Sequence, residues 1–180
     1  DYFGWDNNPE PDDRSTEYHG TCVAGLISAK LDGNGIIGVA YNSKVVPIRI
    51  GAKIWGFDIF VTDWFMRAAF IYAAEQSRII NCSWGLDAYL WPLYYPVTEL
   101  TIISLVNSNS CFIVAASGND NTGERNDNND VHWPAINGNV IAVGASENRD
   151  IHAFYSNSGP GLFCVAPSVG DWGYDLSGTG

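Results

Sequence analysis

The sequence predicts an α/β fold, a three-layer sandwich with a mostly parallel sheet and helices on both faces. Three observations carry that expectation. Runs rich in β-branched residues begin near positions 45, 79 and 112, and a spacing of roughly 33 residues is the length of a strand–helix–strand crossover. The longer segments between them have apolar residues at helical rather than alternating spacing. Polar, glycine-bearing segments leave the strands at their carboxyl ends, where open parallel sheets gather ligands: Ser83-Trp84-Gly85, Ser117-Gly118-Asn119 and, after the last strand, Ser177-Gly178-Thr179.

Length and composition narrow the class. At 180 residues the chain has a single-domain length able to bury a sizeable core. Hydrophobic residues make up 46% and aromatic residues 13%, too many for a disordered chain, and no apolar run approaches the roughly 18 to 20 residues of a membrane span. A net charge of −11 repels phosphate backbones and anionic lipid, which argues against nucleic acid and membrane surfaces as partners and for basic peptides or cations. Cys22, Cys82, Cys111 and Cys164 have neither the close spacing of a zinc site nor the density of a disulfide scaffold, so buried free thiols are expected. The chain opens Asp1-Tyr2-Phe3 without a methionine and reads as a piece of a longer protein.

Residues 1 to 17 carry Asp1, Asp6, Glu10, Asp12, Asp13 and Glu17 against Arg14 alone, with Pro9 and Pro11 blocking a helix. This is an acidic loop, either a solvated surface or a source of carboxylates for calcium, which takes roughly six to eight oxygens. From Thr21 to Lys30, Val23, Ala24, Leu26 and Ile27 share one helical face with no proline inside. His19 then stands at the mouth of that helix, beside unpaired N–H groups and the positive end of the macrodipole, which favour a neutral, proton-accepting imidazole. Taken alone, a surface cap or a satisfied core histidine is the plainer reading.

Gly33, Gly35 and Gly38 spell G-x-G-x-x-G. A dinucleotide site needs such glycines to leave a strand and open a helix; here they follow a helix and lead into a strand, so a loop of unusual backbone angles is expected. Val45 to Ile50 is that strand, with Pro47 lacking one ladder donor. Thr62 to Gln76 is a helix capped by Thr62, its apolar face formed by Trp64, Phe65, Ala68, Ala69, Ile71 and Tyr72. Arg78 to Ser83 is a strand and Val97 to Asn107 a helix entered through Pro96; Phe112 to Ser117, Val140 to Ala145 and Leu162 to Ala166 are further strands. Asn81-Cys82-Ser83 spells a glycosylation sequon, discounted on a strand expected to be buried.

His19-Gly20-Thr21-Cys22-Val23-Ala24-Gly25 resembles the histidine box of the subtilisin family of serine endopeptidases. The likeness covers nearly the whole chain and keeps the family's order. Gly38-Val39-Ala40 leading into Lys44 to Ile50 looks like the segment after the histidine helix. Asn81-Cys82-Ser83-Trp84-Gly85 looks like the substrate-binding strand, whose backbone pairs with an extended peptide. Ala115-Ala116-Ser117-Gly118-Asn119 is similar to the box that delivers the oxyanion-hole asparagine, and Trp133-Pro134-Ala135, Val140 to Ala145 and Tyr155 to Pro160 through Ala166-Pro167 continue the match. Trp84 and Gly38-Val39-Ala40-Tyr41-Asn42 lean towards the kexin-like branch.

The resemblance implies hydrolysis of peptide bonds through an Asp/His/Ser triad, with His19 as base, Asn119 as oxyanion donor, and Ser83, Trp84 and Gly85 lining the cleft. An amide at the end of a rigid strand suits the oxyanion role, although Asn119 alone reads as a turn former. A structural calcium is implied in the loop after the histidine helix, on the Asp32 side chain and the carbonyls of Lys30, Asn34 and Ile36; the plainer reading is an Asp-Gly turn. Asp120, Glu124, Asp127 and Asp130 follow the asparagine, where kexin-like members hold a basic substrate residue, and Asp130 is the best placed of them. The acidic pair usual after Ser-Trp-Gly is reduced to Asp87. Implied partners are a peptide or protein substrate and a pro-domain, and the implied location is secreted, secretory-pathway or periplasmic.

Two departures stand out. The family's catalytic aspartate belongs to a box of Asp, then Ser, Thr or Asp, then Gly, which residues 1 to 18 do not contain. Gly180, in Gly178-Thr179-Gly180, stands where the serine is expected. Residues 1–180 are therefore expected to form a single truncated peptidase domain, inert as it stands. The alternative is a pseudoprotease that holds peptides or partners without cutting them.

Overall fold

The structure, a computed structural model, describes residues 8–10, 18–54, 57–120 and 130–169. The chain divides into two compact units, Asp1–Val61 with Leu176–Gly180, and Thr62–Asp175.

In the first unit, helix α1 spans His19–Ser28. It begins and ends two residues before the expected Thr21 to Lys30, so His19 is itself the first helical residue. None of its residues is buried; Val23, Ala24 and Ile27 are half-buried and Leu26 is exposed. Backbone holds this helix more than side chains do. The chain returns past its end and donates Gly38 N–H to Ala29 O at 2.9 Å, Val39 N–H to Leu26 O at 3.0 Å and Ala40 N–H to Ile27 O at 2.8 Å, satisfying carbonyls that a helix end leaves orphaned. Only glycine fits that return, because a Cβ at Gly38 would lie 2.4 Å from Ser28 N. Gly33 and Gly35 have φ of +83° and +63°, so the glycine run is a loop, as expected.

The strand expected over Val45 to Ile50 does not form among the described residues. Pro47 has no N–H to give, and residues 44–47 are exposed, so neither ladder nor burial favours an extended pairing there. Pairing begins instead at β1 (Gly51–Ile54), antiparallel to β2 (Phe57–Phe60), with Gly51 opposite Phe60 and Ile54 opposite Phe57.

The second unit holds the sheet. Helix α2 (Asp63–Gln76) leads to β3 (Ile79–Cys82), α3 (Trp91–Tyr94), α4 (Pro96–Asn107), β4 (Phe112–Ala116), β5 (Ile141–Glu147) and β6 (Leu162–Val169). The four strands lie in the order β3-β4-β5-β6, each pair parallel. The expected α/β architecture thus stands, without its expected first strand. Along β5 the buried residues Ala142, Gly144 and Ser146 alternate with half-buried ones, the period of two that a covered strand requires.

Helix α2 buries Met66, Ala69, Phe70 and Ala73, a stripe at i, i+3, i+4 and i+7. The expected face centred on Trp64, Phe65 and Tyr72 is displaced around the helix: Tyr72 is exposed, and Trp64, 65% exposed, carries the Arg67 guanidinium 5.1 Å from its ring centroid. Thr62 takes the N-cap position but makes no side-chain cap bond. The neighbouring Asp63 caps a different helix. Its carboxylate accepts Val97 N–H at 2.9 Å, Thr98 N–H at 2.8 Å and the Thr98 hydroxyl at 2.6 Å, just behind Pro96 at the first turn of α4. Thr98, wholly buried, pins α2 to α4.

Asn81 is exposed rather than buried, because β3 is the edge of the described sheet; its Nδ2 donates to Ser83 Oγ at 2.9 Å. All four cysteines are free. Cys82 and Cys111 are buried as expected, Cys22 is half-buried and Cys164 is exposed on the edge strand β6. Burial, with a smaller contribution from Cys111, pushes the Cys82 thiol up to about 12, and burial raises Cys111 as well. Among the described residues no helix is long and apolar enough to cross a membrane.

Candidate active site

Strands β3 and β4 are neighbours, so the segments leaving their carboxyl ends, Ser83–Leu86 and Ser117–Asp120, lie at the same edge of the sheet. A third segment ties them together. Leu86 N–H donates to Trp133 O at 2.8 Å, Trp133 N–H to Leu86 O at 2.9 Å, and His132 N–H to Ser117 O at 2.8 Å. The Trp133 ring anchors that segment: it is wholly buried, stacks on Tyr95 at 5.3 Å and Trp91 at 6.2 Å, and meets Trp84 edge-on at 5.7 Å. Its indole N–H donates to Glu99 Oε2 at 2.7 Å. Trp84 is therefore a half-buried anchor for the Ser83–Gly85 backbone.

Asn119 is exposed immediately after Ser117 and Gly118. Its position is fixed from below by Asn157, which is wholly buried. Asn157 N–H donates to Gly118 O at 2.9 Å, Asp120 N–H donates to Asn157 Oδ1 at 2.8 Å, Asn157 Nδ2 donates to Asp130 O at 3.0 Å, and Ser117 Oγ donates to Asn157 O at 3.0 Å. Ser156 beside it accepts Ala145 N–H at 2.9 Å. One buried asparagine, through its backbone N–H on Gly118 O and its side-chain amide on Asp120 N–H, thus satisfies backbone groups on both sides of the candidate donor, as a preorganised site requires. Gly118 has φ +111°, and a Cβ there would fall 2.4 Å from Asn157 Nδ2.

Asp130 is half-buried, and its Oδ2 accepts the Tyr89 hydroxyl at 2.9 Å. His132 Nε2 lies 2.6 Å from Asp120 Oδ2. The sequence motifs point to neither His132 nor Asn157 as a site residue. Their local signals are slight: Asn157 sits in an Asn-Ser-Gly run that reads as a turn, and His132 follows Asp130 by two positions, just before Trp133-Pro134.

In the first unit His19 is exposed at the start of α1, preceded by Tyr18, whose carbonyl accepts Cys22 N–H at 3.1 Å. In the loop beyond, Asp32 Oδ1 accepts Asn34 N–H at 3.0 Å and Lys30 O accepts Asp32 N–H at 3.1 Å. This is the Asp-Gly turn, with every candidate donor an oxygen. Oxygens with a second lone pair suit a hard cation, so the residues fit calcium in kind. Among the described residues no cluster of three His, Cys, Asp or Glu could hold a metal, so a cation here would rest largely on carbonyls. Gly180, Ser177 to Thr179, Glu124, Asp127 and the acidic residues within 1–7 and 11–17 lie outside the described residues.

A parallel α/β sheet whose strand ends carry a backbone-presenting segment and an exposed, rigidly seated asparagine agrees with the sequence motifs in defining one class. The chain belongs to the subtilase family, whose model matches residues 2–177. Among its relatives, it is 34% identical over 178 residues to kexin of Saccharomyces cerevisiae, covering 94% of this chain and 21% of kexin. It is 30% identical over 181 residues to an extracellular basic protease of Dichelobacter nodosus, covering 94% of this chain and 28% of the relative. The solved structure of the prenylagaramide maturation protease PagA superposes with a TM-score of 0.67 at 26% identity, over 84% of this chain and 52% of that one. The chain therefore spans about a quarter of the length of these two curated relatives.

Proposed function

We propose that the protein carrying these residues is a serine-type endopeptidase that hydrolyses peptide bonds in proteins through an Asp/His/Ser triad. The observation that supports this most is Asn119, an exposed amide at the end of a packed parallel strand, in a chain that matches the subtilase family along residues 2–177. The serine hydroxyl attacks the scissile carbonyl while His19 takes its proton, and the Asn119 amide donates to the oxyanion that forms. His19 then returns the proton to the leaving amine, its tautomer held by the aspartate. Ser83, Trp84 and Gly85 offer backbone to an extended substrate, and Asp130 is the carboxylate assigned to a basic residue before the cleaved bond. The loop from Lys30 to Ile36 would hold calcium, with Asp32 as side-chain ligand and Lys30, Asn34 and Ile36 as carbonyl ligands, and would be stiffened by it. A pro-domain is a further partner. Two relatives are named as extracellular, and we place this protein outside the cell or in the secretory pathway.

The 180 residues alone supply neither the aspartate box nor the serine, Gly180 standing at its expected position. On this reading the isolated polypeptide and its Gly180→Ser variant are both inert, and turnover belongs to the full-length protein. The test is hydrolysis of a fluorogenic peptide library by that full-length protein, abolished by a serine-directed inhibitor. Tight peptide binding without turnover would instead support a pseudoprotease. Matched peptides with Arg, Lys, Leu or Phe before the cleaved bond test the role of Asp130, which equal rates would remove.

A further inference from the structure

Glu99 is a half-buried carboxylate in the first turn of α4, and among the described residues both of its side-chain partners are neutral donors. Trp133 Nε1–H donates to its Oε2 and Asn137 Nδ2 to its Oε1, each at 2.7 Å. These two residues are the ends of one tight turn, closed by Ile136 N–H on His132 O at 2.8 Å and Asn137 N–H on Pro134 O at 3.1 Å. The turn continues the segment that pairs with Leu86 and donates to Ser117 O, so it is tied to both candidate substrate-facing strand ends. Stacking on Trp91 and Tyr95, at 15° between planes in each case, keeps the Trp133 ring from tilting but leaves it free to slide and turn in its own plane. The bond to Glu99 removes that freedom. The carboxylate itself stands on a fixed base, since Asp63 caps the same turn of α4 through Val97 and Thr98.

Asn137 Oδ1 accepts Asn139 N–H at 2.7 Å, which orients the amide with Nδ2 toward Glu99. Both groups that face the carboxylate are therefore donors. An acceptor is needed at each of its oxygens, which a carboxylate supplies and an amide of the same shape does not. We propose that Glu99 is a positioning residue for substrate: it fixes the Trp133–Asn137 turn and, through Leu86, holds the Ser83–Gly85 backbone where an extended peptide pairs with it. The assignment rests on the peptidase reading and adds to it a residue that touches neither the substrate nor the reacting atoms.

The experiment uses the full-length protein on two fluorogenic amides, a tetrapeptide and a single residue, with the same residue before the cleaved bond, and reads kcat, KM and melting temperature. In Glu99→Gln one N–H faces another. The kcat/KM for the tetrapeptide relative to the single residue is then expected to fall by about tenfold, mainly through KM, the lower end of what losing a hydrogen bond to a charged group does. Asn137→Asp, which sets two carboxylates face to face, should lower the ratio as well. The double variant Glu99→Gln/Asn137→Asp restores a donor opposite an acceptor at both contacts and keeps the net charge, so it should recover most of the ratio. A merely structural role would lower the melting temperature and leave the ratio where it was, so an unchanged ratio in Glu99→Gln overturns the assignment alone. A fall that the folded double variant does not recover overturns it too. If Glu99→Gln fails to fold, Glu99→Asp, whose shorter side chain cannot reach both donors, takes its place, and an unchanged ratio there overturns the assignment. No hydrolysis of the tetrapeptide by the parent overturns the peptidase reading, and this assignment with it.

Discussion

His19 and Asn119 are both exposed, yet what lies beneath them differs. Asn119 follows β4, where Ile113 and Ala115 are buried, and the wholly buried Asn157 holds the backbone on either side of it. His19 begins a helix with no buried residue, kept in place by three backbone hydrogen bonds from a glycine-dependent return at 38–40. The proposed oxyanion donor is seated on packing and a polar network. The proposed base is seated on local backbone geometry. Substitutions should therefore separate catalysis from stability differently in the two places.

The largest effects are catalytic. In the full-length protein, His19→Ala should lower kcat by roughly 10⁶-fold and Asn119→Ala by roughly 10²- to 10³-fold; both magnitudes are measurements on a subtilisin, carried over to a relative. Neither should move the melting temperature by more than about a degree, because each side chain is exposed. A drop of several degrees for His19→Ala would show that α1 leans on that side chain. Below the surface the order reverses. Gly118→Ala combines a φ of +111° with a Cβ 2.4 Å from Asn157 Nδ2, and should destabilise by about 2–4 kcal/mol in urea denaturation. A neutral result would mean that the Asn157 network yields easily, and the contrast with α1 would fall.

The same contrast explains what could be read from the sequence. Strands β3, β4, β5 and β6 were legible to within a few residues, because β-branched runs spaced at crossover length leave few alternatives. His19 and Asn119 were singled out by motif wording, and their roles remain proposals. The strand at Val45 to Ile50 was not, since its β-branched residues outweigh Pro47 locally while the pairing that decides the matter is tertiary. The buried face of α2 was misplaced because Trp64 and Tyr72 are apolar in composition but sit at the surface. Asn157 and His132 escaped notice for a different reason. Their roles are hydrogen bonds and contacts to groups remote in the chain, such as Asp120 N and the Gly85 backbone, which no local pattern encodes.

Calcium would stiffen the weaker side. Raising free calcium to about a hundredfold its dissociation constant should stabilise the full-length protein by about 2.7 kcal/mol over the chelated state, and Asp32→Ala should abolish most of that difference. Identical chelator sensitivity in parent and variant would remove Asp32 from the ligand set. The buried thiols probe the stronger side. An unfolded Cys82 loses its proton near 9.0 and the folded one only near 12, so between those values the unfolded state binds fewer protons. Stability is therefore undiminished below pH 9 and falls as pH rises through the window. Cys82→Ala should flatten that fall, and at about pH 8 Cys164 should react with an alkylating agent while Cys82 and Cys111 do not.

The smallest effect is the sharpest check on the picture of α1. An alanine Cβ at Gly20, beside the proposed base, meets nothing within 4 Å, so the substitution that strains Gly118 has no steric consequence here. Glycine carries an entropic disadvantage in a helix, so Gly20→Ala should stabilise by about 0.5 kcal/mol, less than in a helix interior because the residue lies in the first turn. The measurement is urea denaturation of both glycine variants under one set of conditions, with opposite signs expected at positions 20 and 118. Destabilisation at both would show that the first turn of α1 is packed against other parts of the protein, and that His19 stands on a support as closely fitted as the one beneath Asn119.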